Sequence, residues 1–221
     1  NVAVGFATME DLTSGHQNTA VGGSALSNVT SGSYNTGLGF ATLLDVTTQD
    51  DNTAVGYYSG LNTAGADNTY LGFKAGYGAD GAEANNVGIG SNALLAITTG
   101  SNNVAIGSGS MDAMAGDADT NTLNNGHRNI AIGVDAMGAV NAGSHNSALT
   151  DDNIAIGNDA LLGASFSAAD LDLVGNIAIG SYAMDATAAN AQTGTVAIGH
   201  QALTALTSGV ANIAVGYTAG L

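Results

Sequence analysis

The chain has 221 residues, 18 of them acidic and 2 basic, for a formal net charge of −16. That balance excludes recognition of a nucleic-acid backbone, because only Lys74 and Arg128 could meet a phosphate, and it disfavours an acidic membrane surface. With 33 glycines, 5% aromatic residues, no cysteine and no apolar run of about 18 residues, the composition argues against long helices, a conventional globular core, a disulfide framework and a transmembrane helix.

The first five residues, Asn1 to Gly5, set the pattern for the rest. The unit Asn-x-Ala-Val/Ile-Gly occurs twelve times, closing at Gly5, Gly22, Gly39, Gly56, Gly72, Gly90, Gly107, Gly133, Gly157, Gly180, Gly199 and Gly216. A spacing near 17 residues predicts a solenoid with one turn per repeat. The chain therefore reads as all-β, a parallel β-roll or narrow β-helix of about twelve rungs running unbroken over residues 1–221. Rungs stacked about 4.8 Å apart make a rod roughly 50 Å long.

Each unit alternates with period two, as a short strand does. Its second and fourth positions are Thr, Val, Ile or Leu; its third and fifth are mostly Ala and Gly. The bulky face is expected to fill a thin interior, and the Ala/Gly face to admit a second and third copy of the chain. Asparagine opens every unit but one, where Thr195 stands. Stacked in register, Asn18, Asn35, Asn52, Asn68, Asn86, Asn103, Asn129, Asn153, Asn176 and Asn212 predict a hydrogen-bonded ladder, with Asn also suited to left-handed corners. The closing glycine suits a positive φ or a close approach. A small residue and then Leu or Met follow, as at Ala25-Leu26 and Ala136-Met137, and a Thr-x-Gly turn often precedes the next asparagine. Seventeen residues leave room for two short strands and two corners.

Taken in order, the rungs over 1–110 are regular. Phe40, Tyr57 and Phe73 each follow a closing glycine, so in-register stacking puts them in one column. Two readings of that column stay open: rings that stack on one another at a corner, or a platform for sugar rings. Over 111–180 the rungs lengthen with polar or small residues, which predicts loops projecting on one side, and the second strand position becomes Ile. Any binding patch is sought there first. Over 181–221 the regular spacing returns. Both ends fall inside a repeat, as expected of a segment of a longer fibre chain.

Candidate chemistry is sparse. Asp117, Asp119 and Asn121 have the D-x-D-x-N spacing that can wrap oxygens around Ca²⁺, but no glycine follows and Arg128 stands at the twelfth position. Asp51, Asp67 and Asp152 read as solvated corners, and His16, His127, His145 and His200 as surface turn residues. No nucleophile elbow or phosphate loop is present, and Asp170 and Asp172 are the nearest approach to paired carboxylates. The expectation is a non-enzyme without a cofactor.

The segments NTAVGGSALSNVTSG (Asn18 to Gly32) and NVAIGSGSM (Asn103 to Met111) resemble the head repeats of trimeric autotransporter adhesins of the YadA type, and the similar repeats of bacteriophage tail fibres. The likeness runs through all twelve units. It implies a left-handed parallel β-roll, three identical chains about one axis, a role in attachment, and strands such as Ala131-Ile132-Gly133 lying innermost near the threefold. The rung here is longer than in the adhesin heads and closer to the tail-fibre version.

The sequence thus reads as the shaft or head of an extracellular trimeric fibre, on a cell surface or a virion, that holds multivalent contacts outward toward a host-surface glycan or protein receptor. Two further readings are a self-assembling homopolymeric filament with a structural role, and a carbohydrate-binding module using Phe40, Tyr57 and Phe73.

Overall fold

The computed structural model describes residues 1–78, 83–98, 100–114, 126–140, 149–163, 172–186, 192–206 and 209–220. Twelve three-residue strands, from Val2–Val4 to Ile213–Val215, lie in chain order in one parallel sheet. The register is uniform: Val2 pairs with Thr19, Ala3 with Ala20 and Val4 with Val21, and the last pair repeats this with Val196 on Ile213. Among the described residues there is no helix. The chain is a β-solenoid with a period near 17 residues.

Each turn is bent by residues in the left-handed region. In the second rung these are Ser24, Leu26 and Tyr34; in the fourth they are Tyr58, Gly60 and Asp67. The residue before the ladder asparagine takes this conformation, as at Gln17, Asp51 and Arg128, and the ladder asparagines do not. The expected left-handed role of those asparagines is therefore corrected: their side chains are committed elsewhere, as described below.

The two faces of the strand are the reverse of the expectation. Ala20, Ala54, Ala105, Ala131, Ala155, Ala178 and Ala197 are fully buried, whereas Leu38 and Leu71 are nearly half exposed and Ile132, Ile156 and Ile198 more than a third. The bulk of the interior comes instead from the second mark of the repeat: Leu26, Leu43, Leu94, Met111, Met137, Leu161 and Met184 are all buried. A methyl group at Gly37 would sit 3.5 Å from Leu26. The coil is so narrow that a Leu or Met from one wall leaves room only for Ala or Gly on the other. The Ala side is thus core, and no second chain can lie on it.

The closing glycines stack on one another. A methyl group at Gly39, where φ is 137°, would be driven into the carbonyl oxygen of Gly56. Only glycine allows rungs to close up here.

One rung breaks the plan and compensates for it. Tyr70 replaces the inward alanine and is fully buried. The Leu/Met position is Gly60 in its own neighbour and Gly76 in its own turn, and Gly88 replaces the next inward alanine. Added methyl groups at Gly60 and Gly88 would each lie 3.1 Å from the Tyr70 ring, and one at Gly76 would fall inside it. One phenol ring fills the space that leucines fill elsewhere.

The far side of the coil differs along the rod. From Thr150 onward it carries a second parallel sheet of two-residue strands, Thr150–Asp151, Leu173–Val174, Gln192–Thr193 and Gly209–Val210. Before that point the same side is built from bends, so the expected second strand per rung exists only in the later rungs.

Candidate functional site

The frame on which every surface group is mounted is the asparagine ladder. The Oδ1 of Asn18 accepts the backbone N–H of Asn35 at 2.8 Å, and Asn35 does the same for Asn52 at 3.0 Å. The chain of bonds continues through Asn68, Asn86, Asn103, Asn129, Asn153 and Asn176 to the N–H of Thr195. Each Nδ2 donates to the carbonyl three residues before the next asparagine: Asn52 to Gly65 at 3.0 Å, Asn86 to Gly100 at 2.9 Å and Asn153 to Leu173 at 2.7 Å. One side chain therefore fixes both the start of the next strand and the corner leading into it. Thr195 is too short to do either, and its buried Oγ1 has no partner; Asn212 beyond it is half-buried.

A second, interrupted ladder, two residues before the asparagine, runs the opposite way. The N–H of His16 donates to Ser33 Oγ at 3.2 Å and that of Ser33 to Asp50 Oδ1 at 2.7 Å. Further on, Ser101 N–H donates to His127 Nδ1 at 3.0 Å and His127 N–H to Asp151 Oδ1 at 2.8 Å. His127 is thus a structural acceptor and not a free surface turn residue, whereas His16 and His200 are exposed. Ser33 Oγ and His16 Nδ1 lie 2.9 Å apart. The Asp50 carboxylate, however, is bonded to the backbone of Ser33 and not to the imidazole, so these three residues are not arranged as a proton relay. No cavity opens among the described residues.

Phe40, Tyr57 and Phe73 come together in one column on three successive rungs. Ring centroids are 5.5 Å apart for Phe40 and Tyr57 and 5.7 Å for Tyr57 and Phe73, with planes only 16° and 8° from parallel. All three rings are nearly half exposed. Sequence reasoning missed what surrounds them. Tyr58 lies 4.1 Å from Tyr57, Tyr77 meets Tyr58 edge-on at 6.3 Å, and Lys74 Nζ sits 5.6 Å from the Phe73 ring and 5.3 Å from that of Tyr77. The position of Tyr77 is not aromatic in any other rung, and the one shared by Tyr58 and Lys74 is aromatic again only at Tyr182, so no periodicity flagged them. The Tyr57 hydroxyl is raised above the ordinary phenol range, chiefly by its hydrogen bond with Tyr58.

The other cation is already matched. Arg128 bonds Asp152 through Nε at 2.6 Å and Nη2 at 2.9 Å and reaches Asp151 at 3.4 Å. That contact holds Asp152 below the usual carboxylate range. Asp51, Asp67 and Asp152 are exposed at left-handed corners. Burial, and then the charge of Asp135, raises the Asp112 carboxyl. Burial, and then the charge of Glu83, pushes the Tyr70 hydroxyl well up. Asp172 accepts the N–H of Leu149 at 3.0 Å.

Asp117, Asp119 and Asn121, together with His145 and Asp170, lie outside the described residues. Among the described residues no cluster of three or more His, Cys, Asp or Glu could hold a metal ion, and no helix is long and apolar enough to cross a membrane. No protein-family model, curated protein or solved structure matches this chain.

Proposed function

We propose that this chain is a segment of an extracellular attachment fibre in which three copies meet along the outward face of the twelve-stranded sheet. The observation that carries the reading is that face itself. The fourth strand position is aliphatic in every rung, from Val4 to Val215, and all of these side chains point away from the core. Twelve strands of three residues present roughly 500 Å² at the usual strand spacing and rise. That is at the upper end of the roughly 300–600 Å² that the largest apolar patch of a soluble monomer spans, a patch that is often functional. A second sheet laid on it buries a flat aliphatic strip whose side chains repeat in register.

The likeness of the repeats to adhesin heads and tail fibres supports three copies rather than two. The charge of −16 supports a rod that stays apart from other rods, and two basic residues leave trypsin-like proteases few sites. The test is the mass of the native particle with its outline by electron microscopy. A thin rod of three times 21.5 kDa is expected. A 21.5 kDa monomer overturns the reading, and an open-ended polymer replaces it with the filament.

A further inference from the structure

Five of the chain's aromatic rings and its lone lysine gather on three consecutive rungs. Within this patch the rings differ in what they leave free. Phe40, Tyr57 and Phe73 are near-parallel and stacked, so their faces are turned to one another. Gly23 lies under Phe40, where an added methyl group would come within 3.3 Å of the ring. The sugar platform imagined from these three residues is therefore a poor one. Tyr58 stands across the column at 53° to Phe40, Tyr77 meets it at 65°, and the Lys74 ammonium lies beside Tyr77.

Lys74 is the anomaly. In a chain with 18 acidic residues, Arg128 takes two carboxylates, while Lys74 makes no ion pair among the described residues and rests on rings instead. An ammonium held over aromatic faces keeps its charge but gives up part of its hydration, which favours an incoming anion. The field around it is mild, because residues 52–78 contain one acidic side chain, Asp67.

We propose that Tyr58, Lys74 and Tyr77 bind an acidic polysaccharide in which carboxylated pyranose rings alternate with neutral ones. A pyranose ring lays its C–H bonds on a tyrosine, its hydroxyls meet the phenol oxygens, and its carboxylate meets the ammonium. A polymer is favoured over a single terminal sugar because Tyr58 and Tyr77, 6.3 Å apart on successive rungs, can each take one ring. One cation among neutral rings fits one charge in two units. A nucleic acid also stacks on aromatic side chains, but it brings a phosphate with every base to a chain of charge −16. This inference names the ligand of the attachment reading and rests on it, yet the two fail separately. Particle mass tests the assembly, and polymer binding tests the site.

The experiment is calorimetric titration of the native particle with hyaluronan fragments and with the same fragments after carboxyl reduction. Wild type is expected to bind hyaluronan and to lose at least tenfold in affinity for the reduced form. Lys74→Gln, which removes the charge and keeps a polar, unbranched side chain, is expected to bind both at that lower level. Tyr58→Ala and Tyr77→Ala weaken both polymers, and Arg128→Gln changes neither. The proposal is overturned if wild type binds no hyaluronan, if Lys74→Gln binds it as wild type does, if Arg128→Gln weakens binding as much as Lys74→Gln, or if oligothymidylate binds as tightly as hyaluronan.

Discussion

The rung that begins at Asn52 and the rung that begins at Asn153 share an inner plan and differ outside it. In both, the asparagine side chain reaches the next asparagine and the carbonyl three residues before it, at 3.0 Å to Gly65 in one and 2.7 Å to Leu173 in the other. In both, an alanine points inward, and the closing glycine is overlaid by the glycine of the next rung. Outside this plan, the earlier rung shows Thr53 on the free sheet face and a bend on the far side, whereas the later shows Ile154 and a second sheet. The contrast separates what stacking demands from what it tolerates. The asparagine, the inward small residue and the closing glycine that seat one rung on the next hardly vary; the length of chain between the Leu/Met corner and the carbonyl before asparagine varies freely.

Breaking the shared plan should therefore cost the two regions alike. Asn52→Ala and Asn129→Ala each remove four side-chain hydrogen bonds and strand buried backbone groups. Each is expected to lose about 4 kcal/mol, read from urea unfolding, at about 1–3 kcal/mol per unsatisfied group. A much milder loss at Asn129 would show that the second sheet holds the later rungs without the ladder. Next in size is Tyr70→Ala, which empties a glycine-lined site and should cost about 3 kcal/mol. Adding Gly60→Leu and Gly76→Leu rebuilds the ordinary rung and should recover most of that loss; no recovery would mean that these turns cannot accept the regular plan.

Thr195→Asn works in the other direction. It gives the one interrupted rung a side chain long enough to meet the N–H of Asn212 and should add about 1 kcal/mol. A loss on that substitution would show the interruption to be required. The smallest effect belongs to the contact found only in the longer rungs. Asp152 has its folded pKa depressed by Arg128, so its contribution is present above the ordinary carboxylate range and disappears as pH falls through the folded value. Because the pair is exposed, Arg128→Gln should lower Tm only slightly at pH 7, and by less as pH falls below the ordinary carboxylate range. A large drop at pH 7 would mark the pair as part of the frame.

The repeat made the architecture legible, because Asn, Ala and Gly recur wherever rungs must touch. Alternation also divided the strand into its two faces, but it does not say which is inside. The clue was in the same repeat: Leu26, Met137 and their equivalents already supply bulk to a coil too narrow for a second bulky wall. Tyr70 was legible too, as a departure from Ala coinciding with glycines at positions 60 and 76. The second ladder was not, since Ser33, Asp50, Ser101, His127 and Asp151 share a task and no single chemical type. In the aromatic patch, the column of Phe40, Tyr57 and Phe73 follows from register alone, as does the stacking of Lys74 on the position of Tyr58, but Tyr77 joins them from three residues further on, where no other rung carries a ring.

The uniform register also bears on how the chain reaches this state. Every rung pairs with the rung before it, so partners are 17 residues apart at Asn35 and at most 26 apart at Asn129, in a chain of 221. That is a relative contact order of about 0.08 to 0.12, within the range of fast-folding helical bundles although the chain is entirely β. Loop closure is a small, equal step at each turn, and a completed rung offers the next its template. The fold can therefore grow from one end as the chain emerges from the ribosome, with one open edge at a time.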